Sequence, residues 1–529
     1  MKKILFVLAS AVILLVSSCA EDMLDTAPTS SVSGTTLLSN TDNAQVALEG
    51  TYKILYTPND EWLGTEFNVQ QNFGIVSHNI VADLMGEDFV QNEMGNGWFW
   101  FDYIYDVHRR FASNGWRCYG IWNFYYKVIS NANYIIASEA TMQGPETEVK
   151  RIVGEALALR AYAYYYLTLF FQQTYVGNET KPGVPLYTEP TTSSTEGKPR
   201  GTLAEVYTQI QLDLDKAASY ISKDVPATHK SHIDYFVVRA IQAKVFLTME
   251  KFDEAIIAAA EARTKPGVTL TPIADLGKGF NDVNMSSVLW GGEVIATEAI
   301  SGGWGTFFCH LDPGSTPAVI TANGYGVRSR KCIDKSLYDR IASSDQRKNL
   351  WWKGVVSPEA ASGPNKSYVQ LKFKYKNVAD YTGDYIYLRA EEMLLIEAEA
   401  QCRKAAPDYA AARALLLELG AVRDAGFAGR LALLKDENTY NTDTHAAATN
   451  VLEEVLFQRR VELWGEAGRL FDLKRLKLGF TRDYVGSNHP DKLASKNTAA
   501  NSILFALPIP QQEFDGNPNM DITTDQNPM

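Results

Sequence analysis

A mainly α fold, a tetratricopeptide-like scaffold of helical pairs carrying a large irregular loop-rich insertion, is predicted by three observations. Ile152, Ala156, Leu159, Ala163, Leu167 and Phe170 recur at steps of four and three and therefore share one helical face. Ala243, Phe246, Phe252, Ala255, Ala259 and Ala262 fall at the offsets of a tetratricopeptide repeat, two antiparallel helices with small residues at their crossing. From Lys265 to Asp384 that period lapses into Gly, Pro, Ser and Thr clusters around isolated rings.

Taken in order, the chain divides into five parts. Residues 1–18 read as a signal peptide: Lys2 and Lys3, an apolar run from Ile4 to Val16 too short to span a membrane, and small residues before Cys19. The thiol directly after the small residues has the placement of a bacterial lipobox, with Val16 where Leu is commoner, and makes Cys19 the expected lipidation site. Residues 19–42 are small and polar, fit for a flexible tether. Residues 43–264 form an N-terminal helical region with helices over Ala44–Leu55, Ile121–Ser138, Lys150–Phe171 and Thr202–Ile221, then the repeat-like pair turning at Glu250-Lys251. Within it, Asp83–Trp116 lacks a sustained helical period and reads as long loop with short elements. Residues 265–384 are the insertion, with a few short strands. Residues 385–529 return to helix from Tyr385 onward, with a second pair at Tyr387–Lys404 and Tyr409–Leu419. Helical pairs of this kind stack because none buries its apolar face alone.

The 529 residues supply more than one core usually organises. A formal charge of -12 argues against nucleic acid or an anionic membrane surface as the main partner. Besides Cys19, Cys118, Cys309, Cys332 and Cys402 are widely spaced without a CxxC, and read as buried free thiols. No HExxH, P-loop or GxGxxG occurs. His229 and His232 have i,i+3 spacing, but Lys230 beside them disfavours a cation, so neither metal nor cofactor is expected. Asp83, Glu87, Asp88 and Asp102 are carboxylates a glycoside hydrolase could use if two stood about 5–9 Å apart. Solvated or hydrogen-bonding roles are the commoner use of such groups. Arg459, Glu462, Glu466, Arg469 and Asp472 stand three or four apart and read as an ion-paired stripe along one helix, structural and not catalytic.

Several stretches carry a resemblance. Glu155-Ala156-Leu157-Ala158-Leu159-Arg160-Ala161 with Tyr165, Leu167 and Gly183-Val184-Pro185-Leu186, and the spacing of Trp122, Tyr126, Ile129, Ala132 and Asn133, resemble the N-terminal signatures of the SusD/RagB family of outer-membrane lipoproteins. Arg459-Arg460-Val461-Glu462-Leu463 and Glu466-Ala467-Gly468-Arg469-Leu470-Phe471-Asp472-Leu473-Lys474-Arg475 resemble its signature helix, and Leu507-Pro508-Ile509-Pro510, Asn517-Pro518-Asn519 and Asn527-Pro528 its ending. Gln458 stands where Glu is usual, and glycine follows Glu466 one position late.

The resemblance implies a cell-surface, lipid-anchored outer-membrane protein that binds an oligo- or polysaccharide without turning it over. It also implies delivery to a SusC-like TonB-dependent transporter, over which the lipoprotein acts as a lid. A secreted glycoside hydrolase and a tetratricopeptide-type protein-binding scaffold are the alternatives. Sugars offer flat C–H faces ringed by hydroxyls, so a glycan site needs exposed rings beside Asn, Asp or Arg. Two loop-like regions offer that mixture, Asp83–Tyr103 and Gly303–Tyr325. The expected ligand-binding residues are Asp83, Asn96, Trp98, Trp100, Trp304 and Tyr325, with both regions on one face of the scaffold.

Overall fold

The computed structural model describes residues 38–57, 69–106, 116–297, 305–313, 325–352, 368–466, 468–490 and 497–529. The signal peptide, Cys19, the tether up to residue 37 and Trp304 lie outside these described residues.

Helix α1 (Thr41–Ile54) opens the described chain, its first turn closed by the Asn40 side chain, which accepts the Asn43 backbone N–H at 2.9 Å. The short α2 (Ile75–Leu84) is buried along its whole length. It leads through strand β1 (Phe89–Gln91) and the single turn α3 (Trp100–Tyr103) to α4 (Trp116–Ala137). Helix α5 (Glu146–Phe171) is buried on every side from Ile152 to Phe171, and not along one stripe. The reason is its place in the stack: α4 packs on one flank and α6 (Leu203–Tyr220) on another. Interleaved small residues and tyrosines let neighbours close in while the rings fill the gaps.

The stack continues through α7 (Tyr235–Thr248) and α8 (Phe252–Arg263), the repeat-like pair, which turns at Glu250 in the left-handed region (φ 56°). Next come α10 (Ala390–Arg403) and α11 (Tyr409–Ala421), after a short α9 (Phe307–Leu311) in the insertion. The expected scaffold of helical pairs is therefore present. The four cysteines among the described residues are free and buried.

The insertion is tied down by strands. β4 (Val288–Gly292) pairs antiparallel with β8 (Tyr385–Arg389), tying the insertion to the chain that directly follows it. Tyr385–Arg389 is thus strand and not the start of a helix; its aromatic and branched side chains favour a pleated, packed surface. All five residues are buried, so no alternation marks it. A four-stranded sheet in the order β1-β5-β7-β6 adds β5 (Lys331–Ile333), β6 (Trp351–Trp352) and β7 (Val369–Gln370), with Phe89 opposite Ile333. β1 comes from the N-terminal region, so this sheet holds the insertion against that half of the chain.

The signature stretch near the C-terminus is two helices, α12 (Val451–Glu462) and α13 (Arg469–Arg475), which corrects the single-helix reading. Gly465 (φ 78°) and Gly468 (φ 72°) adopt left-handed backbone between them, where a Cβ on Gly465 would stand 2.6 Å from the Phe373 ring. The ion pairs consequently run between elements and not along one face. Glu462 meets Arg347, Arg389 and Arg423, while Arg460 and Arg469 reach back to Glu87.

Candidate functional site

The loop between β1 and α4 is built from positive-φ residues, Gly95, Gly97 and Phe99 among them, which fold it back on itself. Buried side chains then fix it. Gln91 Nε2 donates to the Trp98 carbonyl at 3.2 Å, and Gln71 Oε1 accepts the Phe99 N–H at 2.6 Å. Arg117 closes a bidentate pair on Asp102, with Nε–Oδ1 at 3.0 Å and Nη2–Oδ2 at 2.8 Å, and lies over the Phe99 ring. Both partners are buried, so this pair is rigid support for the loop.

Onto this base the insertion brings its own rings. His310 of α9 stacks on Phe73 (5.5 Å, 19°) and on Tyr325 (5.0 Å, 28°) and meets the edge of Phe99. Its Nε2 bonds the Gln70 carbonyl, and burial drives its pKa well below the usual value, so it is neutral. Trp98 meets Tyr325 edge to face, with centroids 5.6 Å apart. The Ser329 hydroxyl donates to the Glu93 carbonyl at 3.0 Å, a second tie between the two loops.

Of the residues expected from sequence, Trp98 and Tyr325 are therefore brought together. Asn96 is exposed at the tip between Gly95 and Gly97, and Trp98 is half-buried with its indole N–H lacking a protein acceptor. Tyr325 is buried beneath it, and Trp100 is buried against Tyr103 at 5.8 Å. Asp83 lies deeper, at the end of α2, where its carboxylate accepts the Arg469 backbone N–H at 2.7 Å. Burial pushes its pKa up to about 8 despite that bond, and its role is to tie the end of α2 to the start of α13. Phe73, Phe99, His310 and Arg117 complete the cluster. Sequence spacing gave no sign of them, because they come from four separate segments.

The other candidate carboxylates are committed as well. Glu87 and Asp88 bind Arg460 and Arg469, and although burial alone would raise Glu87, the two guanidiniums hold it down at about 2. His232 bonds the carboxylate of Glu155 at 3.1 Å and faces Glu49 at 3.2 Å.

Comparison with known proteins gives two family matches. Residues 67–247 match a family described as starch-binding, associating with the outer membrane, and residues 320–529 match the SusD family. The chain resembles a SusD-like carbohydrate-binding protein from Bacteroides vulgatus, with a TM-score of 0.74 at 22% identity over 91% of this chain and 97% of that one. It also resembles a SusD superfamily protein from Bacteroides thetaiotaomicron, with a TM-score of 0.71 at 23% identity over 93% and 100%. A surface glycan-binding protein A from Bacteroides uniformis gives 0.65 at 18% over 92% and 99%. None of the curated proteins matches the chain.

Proposed function

The chain belongs to the SusD/RagB family, and from that premise we propose that it captures an oligo- or polysaccharide at the cell surface, anchored by lipid on Cys19. From there it delivers the glycan to a SusC-like TonB-dependent transporter. The observation that carries the binding half of this reading is the junction of Trp98 with Tyr325, which brings two aromatic loops, far apart in sequence, to one rim beside exposed Asn96. The partly exposed Trp98 ring and the Asn96 amide at the tip offer a C–H-stacking surface with a hydrogen-bonder next to it. The buried Arg117–Asp102 pair beneath keeps that surface in place, lowering the ordering cost of binding. Asn96, Trp98 and Trp304 form the proposed contact set, while Trp100, Tyr325 and Asp83 are buried and act through their neighbours.

Affinity is expected in the millimolar to micromolar range and insensitive to salt, since a neutral glycan carries no charge to screen. Changing Trp98, Trp100 and Trp304 to Ala singly, with folding checked by thermal melt, is expected to cost about 1–3 kcal/mol of polysaccharide affinity in at least one folded variant. Unchanged affinity in all three places the glycan elsewhere.

We infer binding without hydrolysis. Glu87, Asp88 and Asp102 hold buried arginines, and Asp83 holds a helix N-terminus, which supports structural roles for the carboxylates most available by sequence. Incubating the protein with the polysaccharide it binds is expected to release no new reducing ends. Release that grows in proportion to protein concentration makes it a glycosidase instead.

A further inference from the structure

The helix α4 presents two faces. Arg117, Ile121 and Phe124 point to the loop cluster and core; Trp122, Asn123, Tyr126 and Ser130 lie on the opposite side, about half a turn away at roughly 100° per residue. That second face forms the floor of a cavity of about 410 Å³. One wall is the segment after β2 (Pro182–Pro185), carrying Tyr187, and the other is the C-terminal stretch carrying Glu513.

These walls are fixed. Tyr126 Oη donates to the Pro185 carbonyl at 2.8 Å, and Asn133 Nδ2 donates to the Tyr187 carbonyl at 2.9 Å. Trp122 Nε1 donates to Glu513 at 3.0 Å, joining the floor to the C-terminal wall. The Trp122 and Tyr126 rings are 5.0 Å apart and tilted by 48°, and Tyr187 stands edge-on to Tyr126 at 6.0 Å. Among the described residues the side chains of Asn123 and Ser130 hydrogen-bond no protein group, although both are half-buried and line the cavity. Polar groups placed among rings and left without protein partners are what an incoming ligand satisfies.

We propose that this cavity is a second carbohydrate site, taking a neutral saccharide of one or two pyranose rings on the face of α4 opposite the Trp98 loop. The partly exposed rings of Tyr126 and Tyr187, seated on buried Trp122, supply apolar planes for C–H faces. Asn123 and Ser130 supply donors and acceptors for hydroxyls, and Glu513 supplies an acceptor. Glu513 disfavours an anion. A cation is disfavoured in turn, because the Glu513 carboxylate already accepts the Trp122 N–H and the Lys198 ammonium lies 5.5 Å from the centre of the Tyr187 ring.

The site stands apart from the polysaccharide reading of the Trp98 loop, and one experiment separates them. The full chain is titrated calorimetrically with glucose, mannose, galactose, xylose, maltose, cellobiose and xylobiose. The variants are Asn123→Leu, Ser130→Leu and Trp98→Ala, each checked by thermal melt. At least one sugar is expected to bind wild type, to bind Asn123→Leu or Ser130→Leu at least about tenfold more weakly, and to bind Trp98→Ala as wild type. The proposal is overturned if no sugar binds, or if both cavity variants bind normally. It is also overturned if loss follows Trp98→Ala alone, or if tetramethylammonium displaces the sugar in a salt-dependent way, which marks a cation cage. Because neither Asn123 nor Ser130 makes a bond that folding requires, at least one of the two variants is expected to melt as wild type.

Discussion

Glu462→Gln is expected to lower the unfolding free energy by about 3–5 kcal/mol, the range for breaking a buried ion pair by removing one charge. Glu462 ends α12 fully out of solvent. Its Oε1 accepts from Arg389 Nη1 at 2.8 Å and Arg423 Nη2 at 2.9 Å; its Oε2 accepts from Arg347 Nη1 at 2.9 Å and Arg423 Nε at 3.0 Å. An amide keeps the shape but removes the charge and aims an NH₂ group at guanidinium donors, leaving three buried arginines to share only Asp345, Glu391 and Glu466. The three arginines come from the insertion, from β8 and from the end of α11, so the change loosens three parts of the fold at once. Set against a typical domain stability of about 5–15 kcal/mol, that is a large fraction. Urea denaturation followed by circular dichroism measures it, and a loss under about 1 kcal/mol would refute the role given to Glu462. The pH dependence has a definite sign. Burial alone would raise this carboxyl, but Arg423 and Arg389 outweigh it and hold the group well below its ordinary value of 4.5. The unfolded chain therefore takes up the proton first, and the stabilisation is present above about pH 4.5 and lost on further acidification. Wild type is expected to lose stability below that pH more steeply than Glu462→Gln.

The same residues mark the boundary of what the sequence discloses. Their i,i+3 and i,i+4 spacing points to ion pairing, and ion pairing is what they do. It does not disclose that Gly465 and Gly468 break the helix between them, nor that the partners lie far off in sequence. Helices with a sustained 3.6 period were legible to within about five residues, as with Thr202–Ile221 against α6 at Leu203–Tyr220. Tyr385–Arg389 was not. A strand buried on both faces has no period-2 signature, and its partner β4 lies some hundred residues upstream, so the continuous apolar run merges with the helix after it.

The candidate site divides in the same way. Its ingredients, rings beside Asn in two helix-poor regions, are compositional and can be read from the chain. Its assembly depends on contacts such as His310 between Phe73 and Tyr325, which join segments that share no local pattern. The α4 cavity is a sharper instance. Trp122, Asn123, Tyr126 and Ser130 carry the spacing of one helical face, and such a face normally reads as core. Only the walls supplied by Tyr187 and Glu513 show that it borders open space.

Replacing Cys19 with Ala is expected to move the protein from the membrane pellet to the soluble fraction. The apolar run Ile4–Val16 would reach only about 20 Å as a helix, short of the roughly 30 Å hydrocarbon layer. Among the described residues no helix is long and apolar enough to cross a membrane. On the proposed reading attachment is covalent, and the thiol after the small residues is the group positioned for it. Each buried acyl CH₂ contributes about 0.8 kcal/mol, and one chain alone binds only reversibly, whereas two or more hold the protein in place. Losing the thiol removes every chain together, so the expected shift is nearly complete and not graded. The fractionation is done in cells lacking the proposed transporter, so that docking cannot substitute for the anchor, and mass spectrometry of the mature N-terminus checks for a lipid-modified Cys19. A Cys19→Ala protein that still pellets with the outer membrane under those conditions, or a wild-type N-terminus without lipid, rules the anchor out.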